Sequence, residues 1–80
     1  MDNRNNSRIA GLAARVVTES MASDMRWDEA IVALGVAAKS MAANAAREGS
    51  GSEADCVAHA QRRFQEGMDN TADILKPLLR

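Results

Sequence analysis

The chain has few of the residues that build disulfide, metal or nucleotide sites. Cys56 is the only cysteine and His59 the only histidine, so an intramolecular disulfide is excluded and an ordinary zinc site lacks ligands. The sequence contains no Walker-type phosphate loop, no dinucleotide glycine fingerprint, no HExxH motif and no nucleophile elbow. We therefore expect no metal, no cofactor and no catalytic residue, and an enzyme is the least expected class of protein.

Long apolar runs and an excess of one charge are also missing. Ten basic residues face eleven acidic ones, a net charge of −1, so no overall field attracts nucleic acid or an anionic membrane. No stretch approaches the roughly 20 apolar residues of a membrane span. We expect a soluble, cytoplasmic protein that has no membrane partner and for which a nucleic-acid partner is disfavoured.

Aromatic residues are scarce, whereas about one residue in five is alanine. Alanine is the strongest helix former, and strand-favouring residues are too scattered to alternate. A chain of 80 residues supports one domain with a marginal core, which oligomerisation or regular helix packing can reinforce. The composition predicts an all-α fold, with a flexible polar tail at residues 1–6 followed by a single helical domain at 7–80.

Apolar periodicity predicts helices near 7–23, 27–48 and 52–76. They would form a small three-helix bundle of antiparallel helices, completed by oligomerisation. The residues expected to form its core recur at intervals of three and four along one line of each helix, which we call the seam of that helix. They are Leu12, Val16, Trp27, Ile31, Leu34, Met41, Val57, Phe64, Met68 and Leu75.

Local signals set the predicted helix ends. Ser7 is a candidate N-cap for the first helix. The Gly-Ser repeat at 49–52 separates the second and third helices, and Ser52 with Asp55 forms an imperfect capping box. Weak helix formers near Gly67 predict a possible kink in the third helix.

The second helix carries an apolar stripe away from its seam, which defines a candidate interaction face of Val32, Gly35, Val36, Lys39 and Ala43. A helix that is apolar on two sides requires two partners. In one reading the helix is central and the stripe is core. In the other, a second protein covers it, and Gly35 permits that protein to approach closely.

Two smaller constellations carry weaker functional signals. Cys56 and His59 lie three residues apart on one helix face, but a nucleophile and base also need an orienting group and an oxyanion site. Arg4, Arg8 and Arg15 would share a stripe of the first helix. Because acidic residues are interleaved with the basic ones elsewhere, nucleic-acid binding is the least supported of the binding functions.

Together these observations predict a small non-enzymatic protein–protein interaction module that self-associates as a homodimer through apolar helix faces. One alternative is a small bacterial or phage inhibitor, of the kind that anti-CRISPR proteins represent, which binds and blocks a larger protein complex. This alternative rests on size and composition alone. A second alternative is a small helical DNA-binding protein.

Overall fold

The computed structural model describes residues 3–69, and 86% of these residues are helical. The helices are α1 (Asn3–Ala22), α2 (Trp27–Arg47) and α3 (Glu53–Asp69). No strand occurs among the described residues, which confirms the all-α class. None of these helices is long and apolar enough to cross a membrane.

Helix α1 begins at Asn3, four residues before its predicted start. Ser7 therefore lies inside the helix, and its assignment as the N-cap was wrong. Asparagine disfavours a helix interior by only a few tenths of a kcal/mol, so the helix extends into the segment predicted to be a tail. At the other end, the Ser23 amide donates to Glu19 O at 3.1 Å and the Ser23 hydroxyl donates to Ser20 O at 2.7 Å.

Helix α2 begins at Trp27, as predicted, with Asp28 and Glu29 in its first turn. It ends in a Schellman motif: the Gly49 amide donates to Ala46 O at 3.1 Å and the Ser50 amide donates to Ala45 O at 3.0 Å. Gly49 has a φ of 98°, a left-handed conformation that favours glycine. The breaker predicted at 49–52 is confirmed.

Helix α3 starts with the predicted cap. The Asp55 amide donates to the Ser52 hydroxyl at 3.1 Å, and the Cys56 amide donates to Ser52 O at 3.0 Å. The helix continues through Gly67 to Asp69, so no break interrupts it up to Asp69, and the rest of the segment predicted to be weak, residues 70–71, lies outside the described residues. The predicted continuation to residue 76 lies outside the described residues, as does Leu75.

The described chain divides into two compact units, one containing α1 and the other containing the α2–α3 pair. The connection between α2 and α3 spans only residues 48–52. Residues near the end of α2 and the start of α3, such as Ala45 and Cys56, line the same groove. The pair is therefore an antiparallel helical hairpin.

Small side chains form the core. Among the described residues only Ala30 and Ala42 are buried, at 5% and 7% exposure. Each is the chain neighbour of a predicted core residue, Ala30 of Ile31 and Ala42 of Met41. Val16, Leu34 and Val57 are half-buried. The core expected from the large apolar residues is thus realised only in part.

Several predicted core residues are exposed, and their assignment to the core was wrong. Trp27 is 80% exposed, and Met41 and Met68 are 68% and 65% exposed. Ala42 lies about 100° around α2 from Met41, so the contact with α3 is centred on the alanine side. Three other predicted core residues are exposed to a smaller degree: Leu12, Ile31 and Phe64.

The position of Trp27 explains its exposure. It is the first residue of α2, about 16 Å along the helix axis from Ala38, which lies beside α3. A helical side chain also leans toward the N-terminus of its own helix. Trp27 therefore lies away from the part of α2 that lines the grooves with α3, which begins at Gly35.

Candidate functional site

The α2–α3 hairpin has an open groove on each of its two faces. Ala38 on α2 and Ala60 and Phe64 on α3 line both grooves, so these three residues mark the line of contact between the helices. Two of them are alanines, which allow a close approach of the backbones. Phe64 remains 42% exposed because its ring lies between the two openings.

The large groove has a volume of about 780 Å³. Its floor contains Met41, Ala42 and Ala45, and charged side chains from α3 border it, including Arg62 and Arg63. Arg63 Nη1 lies 2.6 Å from Glu66 Oε2 in an exposed ion pair, which contributes little stability. The groove therefore joins an apolar floor to a charged rim.

Cys56 and His59 both line the large groove. The Cys56 side chain is half-buried, and its Sγ lies 3.7 Å from the position that a Cβ on Gly51 would occupy. Among residues 3–69, no group of three or more His, Cys, Asp or Glu side chains is placed to hold a metal ion. A shared groove does not by itself provide the orienting group and oxyanion site that catalysis requires.

The small groove, on the other face, has a volume of about 430 Å³. Gly35 and Lys39 line it from α2, and Val57, Gln61 and Gln65 line it from α3. Two residues of the predicted interaction face thus border a preformed opening. The α3 residues opposite them were not predicted as part of that face.

The predicted interaction face is at the surface. Val32 and Val36 are 67% and 62% exposed, Lys39 is exposed and Ala43 is half-buried. A methyl group built on Gly35 would have no neighbour within 4 Å. The exposure of both valines contradicts the reading of this stripe as core, and it leaves a surface available to another molecule.

Charge is segregated between the two sides of α3. Glu53 and Asp69, at the two ends of the described helix, do not lie on the large-groove side, and Gln65 donates to Asp69 Oδ1 at 2.9 Å. Between Ala54 and Met68, the 3.6-residue period places the charged side chains of α3 on the large-groove side or on its outer surface. These residues are Asp55, Arg62, Arg63 and Glu66, with His59 among them. The opposite side carries Ala54, Val57, Ala58, Gln61, Gln65 and Met68.

We name the surface around the small groove the small-groove face. It comprises Val32, Gly35, Val36, Lys39 and Ala43 on α2 and Ala54, Val57, Gln61, Gln65 and Met68 on α3. Lys39 is its only charged residue. Other charges border it at its ends: Asp28 and Arg47 lie one turn beyond Val32 and Ala43 on α2, and Asp69 accepts a hydrogen bond from Gln65 on α3. A helical projection of the sequence shows few charges along this side of α3, but only the hairpin places that side next to the α2 stripe.

The predicted basic stripe lies on α1. Arg8 and Arg15 are exposed and line one groove together with Leu12. Arg15 also lines a neighbouring depression with Glu19, and Glu19 falls on the same stripe because it follows Arg15 by four residues. An acidic residue therefore interrupts the positive field that a phosphate backbone would require.

Comparison with known proteins finds no match: no family model fits the sequence, and no curated protein or solved structure is significantly similar to it.

Proposed function

We propose that this protein is a small, non-enzymatic interaction module that binds a second copy of itself through exposed apolar helix faces. One observation carries the proposal: large apolar side chains lie at the surface, while the buried residues of the described chain are two alanines. An apolar surplus of this kind is typical of a surface that binds another protein.

The size of the chain supports the same conclusion. A domain of 80 residues buries too little apolar surface to be more than marginally stable by itself. Contact with an identical chain increases that burial for both partners. Closed twofold dimers are also the commonest oligomers of soluble proteins.

The exposed valines alone do not drive association. Full burial of a valine contributes about 1.5 kcal/mol at the lower end of measured values, and about two thirds of Val32 and Val36 remains exposed. Two copies therefore gain about 4 kcal/mol from these four side chains. Association costs at least about that much in translational and rotational freedom, so a stable dimer must bury more surface than this stripe.

The experiment is a mass measurement on the intact protein. Size-exclusion chromatography with light scattering, from low micromolar to hundreds of micromolar protein, should give twice the chain mass of 8.6 kDa at the higher concentrations. Sedimentation equilibrium then provides the dissociation constant. A mass of one chain throughout the range would contradict the proposal.

The second candidate function is inhibition of a larger protein. The large groove favours it, because its apolar floor and charged rim match the composition of sites that bind another protein's segment. In that case, Met41→Glu should abolish binding to the target without changing the mass of the free protein. A variant that still binds would exclude this groove as the docking site.

The third candidate, DNA binding, has the least support because Glu19 lies beside Arg15 at the end of the basic stripe of α1. A salt-sensitive gel shift with generic duplex DNA tests it. If Arg8→Ala and Arg15→Ala leave any such shift unchanged, the stripe is not the DNA contact.

A further inference from the structure

We infer that the second copy docks on the small-groove face, so that two α2–α3 hairpins stack into a four-helix bundle. This inference rests on the proposed self-association and specifies its surface. It adds α3 to the contact, whereas the exposed stripe by itself implicates only α2.

The distribution of charge selects this face over the other. The cores of protein interfaces are depleted in charged residues, and Lys39 is the single charge within the small-groove face, with Asp28, Arg47 and Asp69 only at its ends. The large-groove side carries Asp55, Arg62, Arg63 and Glu66, which would lose their hydration if two copies met there. Lys39 has a long aliphatic stem, which allows its ammonium group to stay in water at the edge of a contact.

The available area matches a stable dimer. Helix α3 has 17 described residues, a length of about 25 Å, and two adjacent helices are about 20 Å wide. The flat footprint is therefore about 500 Å², and the half-cylindrical surface of each helix raises the accessible area to about 750 Å². A standard interface buries about 800 Å² on each partner. The α2 stripe alone provides only about half of this area.

The shape of the face also suits helix packing. The small groove runs between α2 and α3, with Gly35 open on one wall and Gln61 exposed on the other. Val32 and Val36 project beside it, at 67% and 62% exposure. Ridges of a second hairpin can enter such a groove, and face-to-face packing of two hairpins produces a four-helix bundle.

The test compares lysine substitutions on three sides of the hairpin. Val36→Lys and Gln61→Lys introduce a charge on the α2 and α3 halves of the small-groove face. Ala37→Lys is the matched control, because Ala37 is also exposed but lies about 150° around α2 from the middle of the small-groove face. Circular dichroism first verifies that each variant keeps the parent's helix content, which we expect because all three positions are exposed.

Sedimentation equilibrium then measures the dissociation constant of each variant. We expect Val36→Lys and Gln61→Lys each to weaken association by about 100-fold or more, since each dimer would bury two unpaired charges. Ala37→Lys should change the constant by less than about threefold.

The outcomes separate this inference from the proposed function. If the parent dimerises but neither Val36→Lys nor Gln61→Lys weakens it, the interface lies elsewhere and only this inference is overturned. If Val36→Lys dissociates the dimer and Gln61→Lys does not, α3 is not part of the contact and the four-helix arrangement is wrong. A parent that stays monomeric overturns the proposed function as well.

Discussion

Replacing Gly49 with alanine tests the turn between α2 and α3. Gly49 has a φ of 98°, and an L-residue in left-handed geometry costs about 1 to 2 kcal/mol. Alanine also lowers the conformational entropy of the unfolded chain, which stabilises the folded protein by about 0.4 to 1 kcal/mol. We therefore expect Gly49→Ala to lower the free energy of unfolding by about 1 kcal/mol.

Gly67→Ala is the matched control, because the same chemical change should have the opposite sign there. Gly67 lies inside α3, without a positive φ, and a methyl group at this position would have no neighbour within 4 Å. Alanine in a helix interior is favoured over glycine by about 1 kcal/mol. The two variants should therefore differ by about 2 kcal/mol, with the parent between them.

Urea and thermal denaturation followed by circular dichroism measure this difference, at one protein concentration because self-association adds to apparent stability. A separation of 2 kcal/mol corresponds to a difference in Tm of roughly 10 °C for a domain of this size. If Gly49→Ala is as stable as the parent, residue 49 does not adopt the left-handed conformation and the Schellman end of α2 is wrong. If Gly67→Ala is destabilised, another part of the protein approaches α3 at that position.

Substitutions at three further positions test the α2–α3 hairpin. Phe64→Ala should lower the free energy of unfolding, measured in urea, by about 2 kcal/mol. The loss is smaller than the 3 to 5 kcal/mol typical of a buried ring, because the side chain is 42% exposed. A loss above about 4 kcal/mol would contradict the half-exposed position of the ring. Ser52→Ala should lower the free energy of unfolding by about 1 kcal/mol, because the Ser52 hydroxyl accepts a hydrogen bond from the Asp55 amide. Ser52→Asp should restore most of this loss. Equal stability of the parent and both variants would show that Ser52 does not cap α3. Cys56→Ser should leave mass and helix content unchanged, and a native thiol that reacts with a labelling reagent faster than free cysteine would show that Cys56 is activated.

The helices could be predicted from the sequence because their ends depend on local interactions. The Gly-Ser segment at 49–52 and the Ser52 cap act within a few residues, and both lie where they were predicted. The start of α1 was predicted four residues late. The propensity difference between asparagine and better helix formers is too small to stop a helix at Ser7.

The candidate site could be predicted only in part. The α2 half, including Val32 and Val36, follows from the period of apolar residues, and the structure places both at the surface. The α3 half contains Gln61 and Gln65, which an apolar pattern does not select. Their role depends on the absence of charge along one side of α3, a feature that becomes meaningful only when α2 lies beside it.

The sequence by itself determined the all-α class, the bounds of α2 and the cap of α3, since hydrogen bonding and propensity act between neighbours in the chain. Only the tertiary structure decided which side of α2 meets α3. The apolar periodicity defines a stripe at least about 100° wide on α2. Met41 and Ala42, which are about 100° apart, can both belong to a stripe of that width. The small side chain lets two helices approach closely, so Ala42 is buried and Met41 remains exposed.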